Sequence, residues 1–322
     1  MPRQSYAIIG AGALGGLYGG LLAKAGFDVH FLLHRDYEHV RRHGWKVETV
    51  LGDFHLPRIN AYADPEDLPA CDVTILGLKA TRNDQLRRLL PPPTRDGGVV
   101  LVLQNGLNVE ADSVAVVGPD RVLGGCCFLC CNKAGPGHIR HIDYGRVVFG
   151  EYDSREQTVT PRVRRICDEL IAAGIDAHTT DDLWSTRWRK LMWNIPFNGL
   201  SVTLDASTKE LVDQPESLAL AESIAREVHR AAIGCGAEIP DKAIRTTIES
   251  TQQMVPYDSS MRLDFLHRRP MEIEAIFGNP LAAAAADGVE MPRVEMLARE
   301  LRFIDWRNRH APAATSADPS GD

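Results

Sequence analysis

A short apolar run, Tyr6-Ala7-Ile8-Ile9, passes directly into Gly10-Ala11-Gly12-Ala13-Leu14-Gly15, and a helical pattern begins inside the same segment. A lone G-x-G-x-x-G is a weak signal, because glycine turns are common. Set between a strand and a helix at the start of a chain, it carries far more weight. Gly10 permits the tight turn, Gly12 lets backbone approach a pyrophosphate, and Gly15 allows the helix to lie close to the strand. The helix N-terminus adds amide donors and a favourable dipole. The segment therefore implies a Rossmann-type dinucleotide site formed by Gly10, Ala11, Gly12, Ala13, Leu14 and Gly15.

The next stretch keeps the rhythm such a site requires. Strand patterns at Val29–Leu33, Val73–Leu76, Val99–Leu103 and Val122–Cys131 are interleaved with helical patterns at Leu14–Ala25, Tyr37–Arg42 and near Asp84–Leu90. Strands separated by helices predict βαβ units and a parallel sheet covered on both faces. From about Asp181 onward helical segments dominate: Leu183–Phe197, Leu218–Ile233, Lys242–Gln253 and Glu272–Ala286. The fold class is thus α/β, an N-terminal Rossmann domain over residues 1–180 followed by an all-helical domain over 181–309. Residues 310–322, rich in Ala, Pro, Ser and Asp, read as a disordered tail.

Composition excludes several roles. With 322 residues the chain has room for two cores, and a net charge of −7 gives no basic face for nucleic acid. No stretch approaches the roughly 20 apolar residues that span a bilayer. The apolar N-terminal run is too short for a signal peptide and leads to glycines instead of a cleavage site. A cytoplasmic protein with no nucleic-acid or membrane partner is expected. The helical domain can support a homodimer.

The identity of the dinucleotide turns on what closes the second strand. A carboxylate there accepts from a ribose 2′-hydroxyl, whereas a basic group meets a 2′-phosphate. Here the strand runs into His34-Arg35, and Arg35 offers the planar fork suited to phosphate. NADP(H) is the expectation; Asp36, one residue later, leaves NAD open.

The seven cysteines include Cys126, Cys127, Cys130 and Cys131, with His138 and His141 downstream. Side chains alternate along a strand, so Cys127 and Cys130 would face opposite sides of the sheet and could not share one tetrahedral zinc. Reduced, buried thiols are expected, and no metal.

In the second half, Lys190, Asn194 and Asn198 recur every four residues in a row otherwise rich in Leu, Met, Trp and Phe, and a helix would stack them on one face. Such groups are costly to bury without partners, so the row is either a hydrogen-bonded seam or the wall of a polar site. Pro196 places a kink or an end inside it. Further on, Ser259-Ser260-Met261-Arg262-Leu263-Asp264 precedes Met271-Glu272-Ile273-Glu274. Its serines are placed to cap a helix, and Glu272 is equally readable as a solvated helix residue.

Taken together and in order, Gly10–Gly15, Leu78-Lys79, Gln104-Asn105-Gly106, Lys190 with Asn194 and Asn198, and Ser259-Ser260 through Asp264 to Glu272 resemble the ketopantoate reductases (2-dehydropantoate 2-reductases). The resemblance implies a Rossmann domain followed by a helical domain like that of 6-phosphogluconate dehydrogenase, with the active site in the cleft between them. It implies NADPH-dependent reduction of a 2-oxo acid, 2-dehydropantoate to pantoate, in pantothenate biosynthesis. By the same likeness Lys190 is the general acid and Glu272 a substrate-binding carboxylate. Ser260 contacts the substrate carboxylate, Asn194 and Asn198 line the substrate site, Asn105 lies near nicotinamide and substrate, and Lys79 is a cofactor-side lysine.

Two positions depart from the family pattern: His34 stands where an arginine is common, with Arg35 next to it, and Tyr257 stands where an asparagine is often found. The second departure bears on which oxo acid is accepted. The alternatives are a reductase of a different oxo acid on the same scaffold, or a non-enzymatic NADP(H)-binding regulator.

Overall fold

The computed structural model describes residues 3–152, 158–255 and 257–310. By internal contacts the chain falls into two compact units, Met1–Leu191 with Gly236–Ile239, and Met192–Cys235 with Pro240–Asp322.

The first unit is built on one mixed ten-stranded sheet. Its strands are β1 (Ser5–Ile9), β2 (Asp28–Leu32), β3 (Trp45–Thr49), β4 (Phe54–Leu56), β5 (Asn60–Tyr62), β6 (Val73–Leu76), β7 (Val99–Val102), β8 (Val122–Gly135), β9 (His138–Glu151) and β10 (Ala177–Thr179). The order is β4-β3-β9-β8-β7-β6-β1-β2-β5, with β10 also on β9. From β8 across to β5 every pair is parallel, as the βαβ rhythm predicts. The sheet is not parallel throughout, however: β8 and β9 form a long antiparallel hairpin, and β4 is antiparallel to β3. Chain order reverses between β1, which continues to β2 on one side, and β6 on the other. The carboxyl ends of strands beside such a switch point are where α/β sheets bind ligands.

The helix Ala13–Lys24 meets strands from both halves of this sheet. It packs against β1, β2, β3, β8 and β9, so it is enclosed rather than laid on one face. A helix apolar all round is a buried helix. Its glycines set the separation: a Cβ on Gly16 would lie 2.7 Å from both Ile139 and Trp45, and one on Gly19 would lie 2.7 Å from Phe31. Trp45 Nε1 also donates to the Gly16 carbonyl.

Several elements escape the sequence reading. Strand β9 is interrupted by Tyr144 and Gly145, both at positive φ, where its register against β8 shifts. Such a bulge destroys the two-residue alternation by which strands are recognised. The helix expected near Asp84–Leu90 is a 3-10 segment, Ala80–Gln85, followed by a single α turn, Leu86–Leu89. Strand β8 extends to Gly135, beyond the expected Cys131.

The second unit is helical in its described residues, with Pro215–Gly234, Lys242–Gln252, Ser260–Leu266, Asn279–Ala286 and Pro292–His310 among its elements. Two expected α-helices contain π turns instead. Asn194–Asn198, with Pro196 inside, is one; Glu274–Gly278, just ahead of Pro280, is the other. Proline lacks the N–H that α bonding needs, and a wider turn absorbs the defect. The two π turns pack against each other. The expected tail lies outside the described residues except for His310, which ends the last helix. No described helix is long and apolar enough to cross a membrane.

Candidate active site

The glycine loop leaves β1 at the switch point. Gly10 has φ +89°, and a Cβ there would lie 2.3 Å from the Leu78 backbone nitrogen, so only glycine fits. A Cβ on Gly15 would lie 2.5 Å from the Gly10 carbonyl oxygen, whereas at Gly12 nothing stands within 4 Å. Space is therefore closed behind the loop and open in front of it. Gly12 is the N-cap of Ala13–Lys24, and no side chain caps that helix. Open space above uncapped amides at a half-buried helix N-terminus fits a pyrophosphate.

Where β2 ends, His34 and Arg35 are exposed, as a contact to a phosphate requires. Asp36, which left NAD open, is buried. Its Oδ2 accepts from the Gly137 amide at 3.0 Å and lies 2.6 Å from Lys133 Nζ. The carboxylate is engaged by the tip of the β8–β9 hairpin instead of being presented to a ribose.

The ends of β6 and β7 are joined by Gln104. Its Nε2 donates to the Leu78 carbonyl at 2.8 Å and to Asn83 Oδ1 at 2.7 Å. This ties the Leu78-Lys79 segment, with Lys79 half-buried, to the loop carrying Asn105. Asn105 in turn accepts from Lys190 Nζ through Oδ1 at 2.6 Å, and the ammonium stands 5.8 Å from the centre of the Phe128 ring. Two motifs 85 residues apart are thus in direct contact.

Sequence reasoning missed the ion pair behind them. Arg187, three residues before Lys190, donates Nε to Glu110 Oε1 at 2.9 Å, with Nη2 on the same oxygen. It also donates to the Gln104 carbonyl at 2.6 Å and to the Val102 carbonyl at 3.3 Å. One guanidinium therefore fixes the end of β7 against the helix Leu183–Trp193. Gly124 on β8 makes room, because a Cβ there would lie 2.2 Å from Glu110 Oε1. No local signal singles out Arg187, which stands in a row that also holds Ser185, Thr186, Arg189 and Lys190.

In the second unit, Asn194 and Asn198 are buried at the ends of the first π turn, and Asn198 Oδ1 has no hydrogen-bond partner. A buried amide oxygen without a protein partner is one that a bound polar group can satisfy. Helix Ser260–Leu266 packs on that same turn. Ser259 is the cap, its Oγ accepting from the Arg262 amide at 3.2 Å and bonding Ser201 Oγ at 3.0 Å. Ser260 is half-buried at the first helical position. Glu272 is buried two residues before the second π turn, and the amide of Met271 beside it donates to Asp305 Oδ1 at 3.1 Å. The second unit accordingly gathers Asn194, Asn198, Ser260 and Glu272 on elements packed about its two π turns.

The cysteine cluster is built into the core. Cys126 Sγ donates to the Thr186 carbonyl at 3.7 Å and Cys131 Sγ to that of Ala13 at 3.5 Å, on two different helices. Strict alternation does not hold along this run, since the register shifts after Phe128 and again after Cys130. His141, the cross-strand partner of Cys131, turns its ring onto Thr49 Oγ1, and His138 lies on Glu48. Among the described residues no group of three or more His, Cys, Asp or Glu is placed to hold a metal. Burial pushes Cys127, Cys130 and Cys131 up to about 12.

The sequence model of the family described as Ketopantoate reductase PanE/ApbA matches residues 6–154, and that of its C-terminal domain matches residues 182–305. The chain belongs to the ketopantoate reductase family. It is 47% identical over 311 residues to the 2-dehydropantoate 2-reductase of Nostoc sp., covering 96% of this chain and 98% of the relative. Among solved structures, the 2-dehydropantoate 2-reductase of Geobacter metallireducens superposes with a TM-score of 0.90 at 42% identity, covering 93% of this chain and 99% of the other. That of Methylococcus capsulatus gives 0.83 at 30%, covering 96% and 99%. Membership makes the chain an oxidoreductase, and the reading as a non-enzymatic regulator falls away.

Proposed function

We propose that this chain reduces 2-dehydropantoate to pantoate with NADPH. The observation that carries the reading is the Lys190–Asn105 hydrogen bond, which sets an ammonium beside the loop at the carboxyl end of β7, on the ligand-binding side of the sheet. Gly10 to Gly15 would hold the pyrophosphate. His34 and Arg35 would meet the 2′-phosphate, and Lys79 and Asn105 the remainder of the cofactor. NADPH supplies the hydride for the C2 carbonyl carbon when bound.

The chain's own residues do the rest. Lys190 donates a proton to the carbonyl oxygen as negative charge develops there and stabilises that charge electrostatically. Asn105 holds the ammonium in position through Oδ1. Asn194 and Asn198 orient the substrate, Ser260 binds its carboxylate, and Glu272 accepts from its hydroxyl, so that binding energy is converted into alignment. Cofactor binding belongs to residues 1–180 and catalysis to 181–309 in this proposal, and the protein acts in the cytoplasm as a homodimer, with no nucleic-acid or membrane partner.

Tyr257, half-buried two residues before the Ser259 cap, favours a second reading in which another 2-oxo acid is preferred. Steady-state oxidation of NADPH and NADH across a panel of 2-oxo acids tests both. 2-Dehydropantoate with NADPH should give the highest kcat/KM. A better acid in that panel would overturn the substrate assignment.

A further inference from the structure

An aspartate at a helix N-cap ordinarily turns its side chain onto the first amides of its own helix. Asp36 holds that position ahead of Tyr37–His43 and makes no such bond. Its carboxylate is committed instead to the hairpin tip, to Lys133 Nζ at 2.6 Å and the Gly137 amide at 3.0 Å. The tip is seated firmly: a Cβ on Gly137 would lie 2.8 Å from Val40 and 3.0 Å from the Gly44 carbonyl, at the two ends of the same helix's last turn. A clamp made about a hundred residues later in the chain therefore reaches back to the loop that follows β2.

That loop is where the dinucleotides are told apart. An uncompensated carboxylate there offers an acceptor to a ribose 2′-hydroxyl and repels a 2′-phosphate. Lys133 supplies the compensating charge and keeps Asp36 buried, which leaves exposed His34 and Arg35 as the groups facing outward. We infer that Lys133, acting through Asp36, is a selectivity determinant for the phosphorylated dinucleotide. The inference rests on the proposed use of NADPH, and the task of Lys133 is electrostatic: silencing a carboxylate, with no contact between Lys133 and the cofactor required.

The test is binding of NADP+ and NAD+ to the full chain in the absence of any oxo acid, by titration calorimetry. Lys133→Met should weaken NADP+ binding on the order of 5-fold at low ionic strength and leave NAD+ unchanged or tighter. Added salt should shrink that difference. Asp36→Asn, whose amide oxygen still accepts from Gly137, should preserve the preference for NADP+. Combined with Lys133→Met, it should restore it.

A purely structural clamp would weaken both dinucleotides alike. An unmoved NADP+/NAD+ ratio in Lys133→Met would therefore overturn the inference while leaving the cofactor assignment intact. A double variant that stays impaired would overturn the route through Asp36. A wild-type chain with no preference for NADP+ would overturn the cofactor assignment, and the inference with it.

Discussion

Replacing Arg187 by methionine should damage both stability and turnover, and the structure sets the scale. The side chains of Arg187 and Glu110 are each 3% exposed, so the substitution leaves a buried carboxylate without its cation. It also removes a donor from the carbonyls of Gln104 and Val102. Breaking a buried pair from one side costs about 3–5 kcal/mol, a large fraction of the ~5–15 kcal/mol that holds a typical domain together.

The kinetic effect follows from position. Asn105 is the neighbour of Gln104, and Lys190 lies one helical turn beyond Arg187, so their 2.6 Å hydrogen bond loses its anchor at both ends. We expect kcat to fall by about tenfold or more, since displacement of a proton donor by about an ångström suffices for a loss of that order. KM for NADPH should change little. Denaturant unfolding followed by tryptophan fluorescence gives the stability, and steady-state kinetics below the transition gives kcat. Arg187→Met/Glu110→Leu, which removes both charges, should recover at least half of the lost stability. The reasoning fails if Arg187→Met costs less than about 1 kcal/mol, or if it destabilises while kcat stays at the wild-type value.

Other expectations are equally direct. Lys190→Ala should lower kcat by roughly 10²–10⁴-fold with NADPH affinity nearly intact, as single-turnover kinetics and fluorescence titration will report; an unchanged kcat would remove the residue from the mechanism. Gly10→Ala, strained at φ +89° and 2.3 Å from the Leu78 nitrogen, should abolish cofactor binding and lower stability. Gly12→Ala should fold normally and lose affinity for the dinucleotide, a contrast that calorimetry and thermal melting can resolve. Cys127, Cys130 and Cys131 have folded pKa values raised by burial from 9.0 to about 12. They therefore contribute stability in full below about pH 9 and lose it as the pH rises toward 12. Thiol labelling at pH 8 should accordingly be slow for these three in the native protein and fast in denaturant.

Much of the fold was legible because it obeys local rules. The glycine loop, its flanking strand and helix, and the parallel run from β8 to β5 follow from periodicity and from what Gly10 and Gly15 must allow. Strand β9 was hidden by the bulge at Tyr144 and Gly145, and the helix Pro292–His310 by its many charges. The π turns were hidden because four-residue spacing of Lys190, Asn194 and Asn198 reads as uninterrupted α-helix. At the site, individual residues were readable and their partnerships were not. Nothing local connects Arg187 to Glu110, 77 positions earlier, or reveals that Asp36 is turned onto Lys133.

The pairing of β3 with β9 bears on how the chain is made. Thr49 and His141, hydrogen-bonded to each other, are 92 residues apart, and among the described residues β4 pairs with β3 alone. During synthesis β3 must wait for its neighbour, with the Ile139 side of Gly16 uncovered, until the β8–β9 hairpin has left the ribosome. At about 5–20 residues per second that wait lasts several seconds. Exposed Val50 and Leu51 sit at the tip of this waiting hairpin, so a nascent chain presents an unpaired strand edge with apolar side chains beside it.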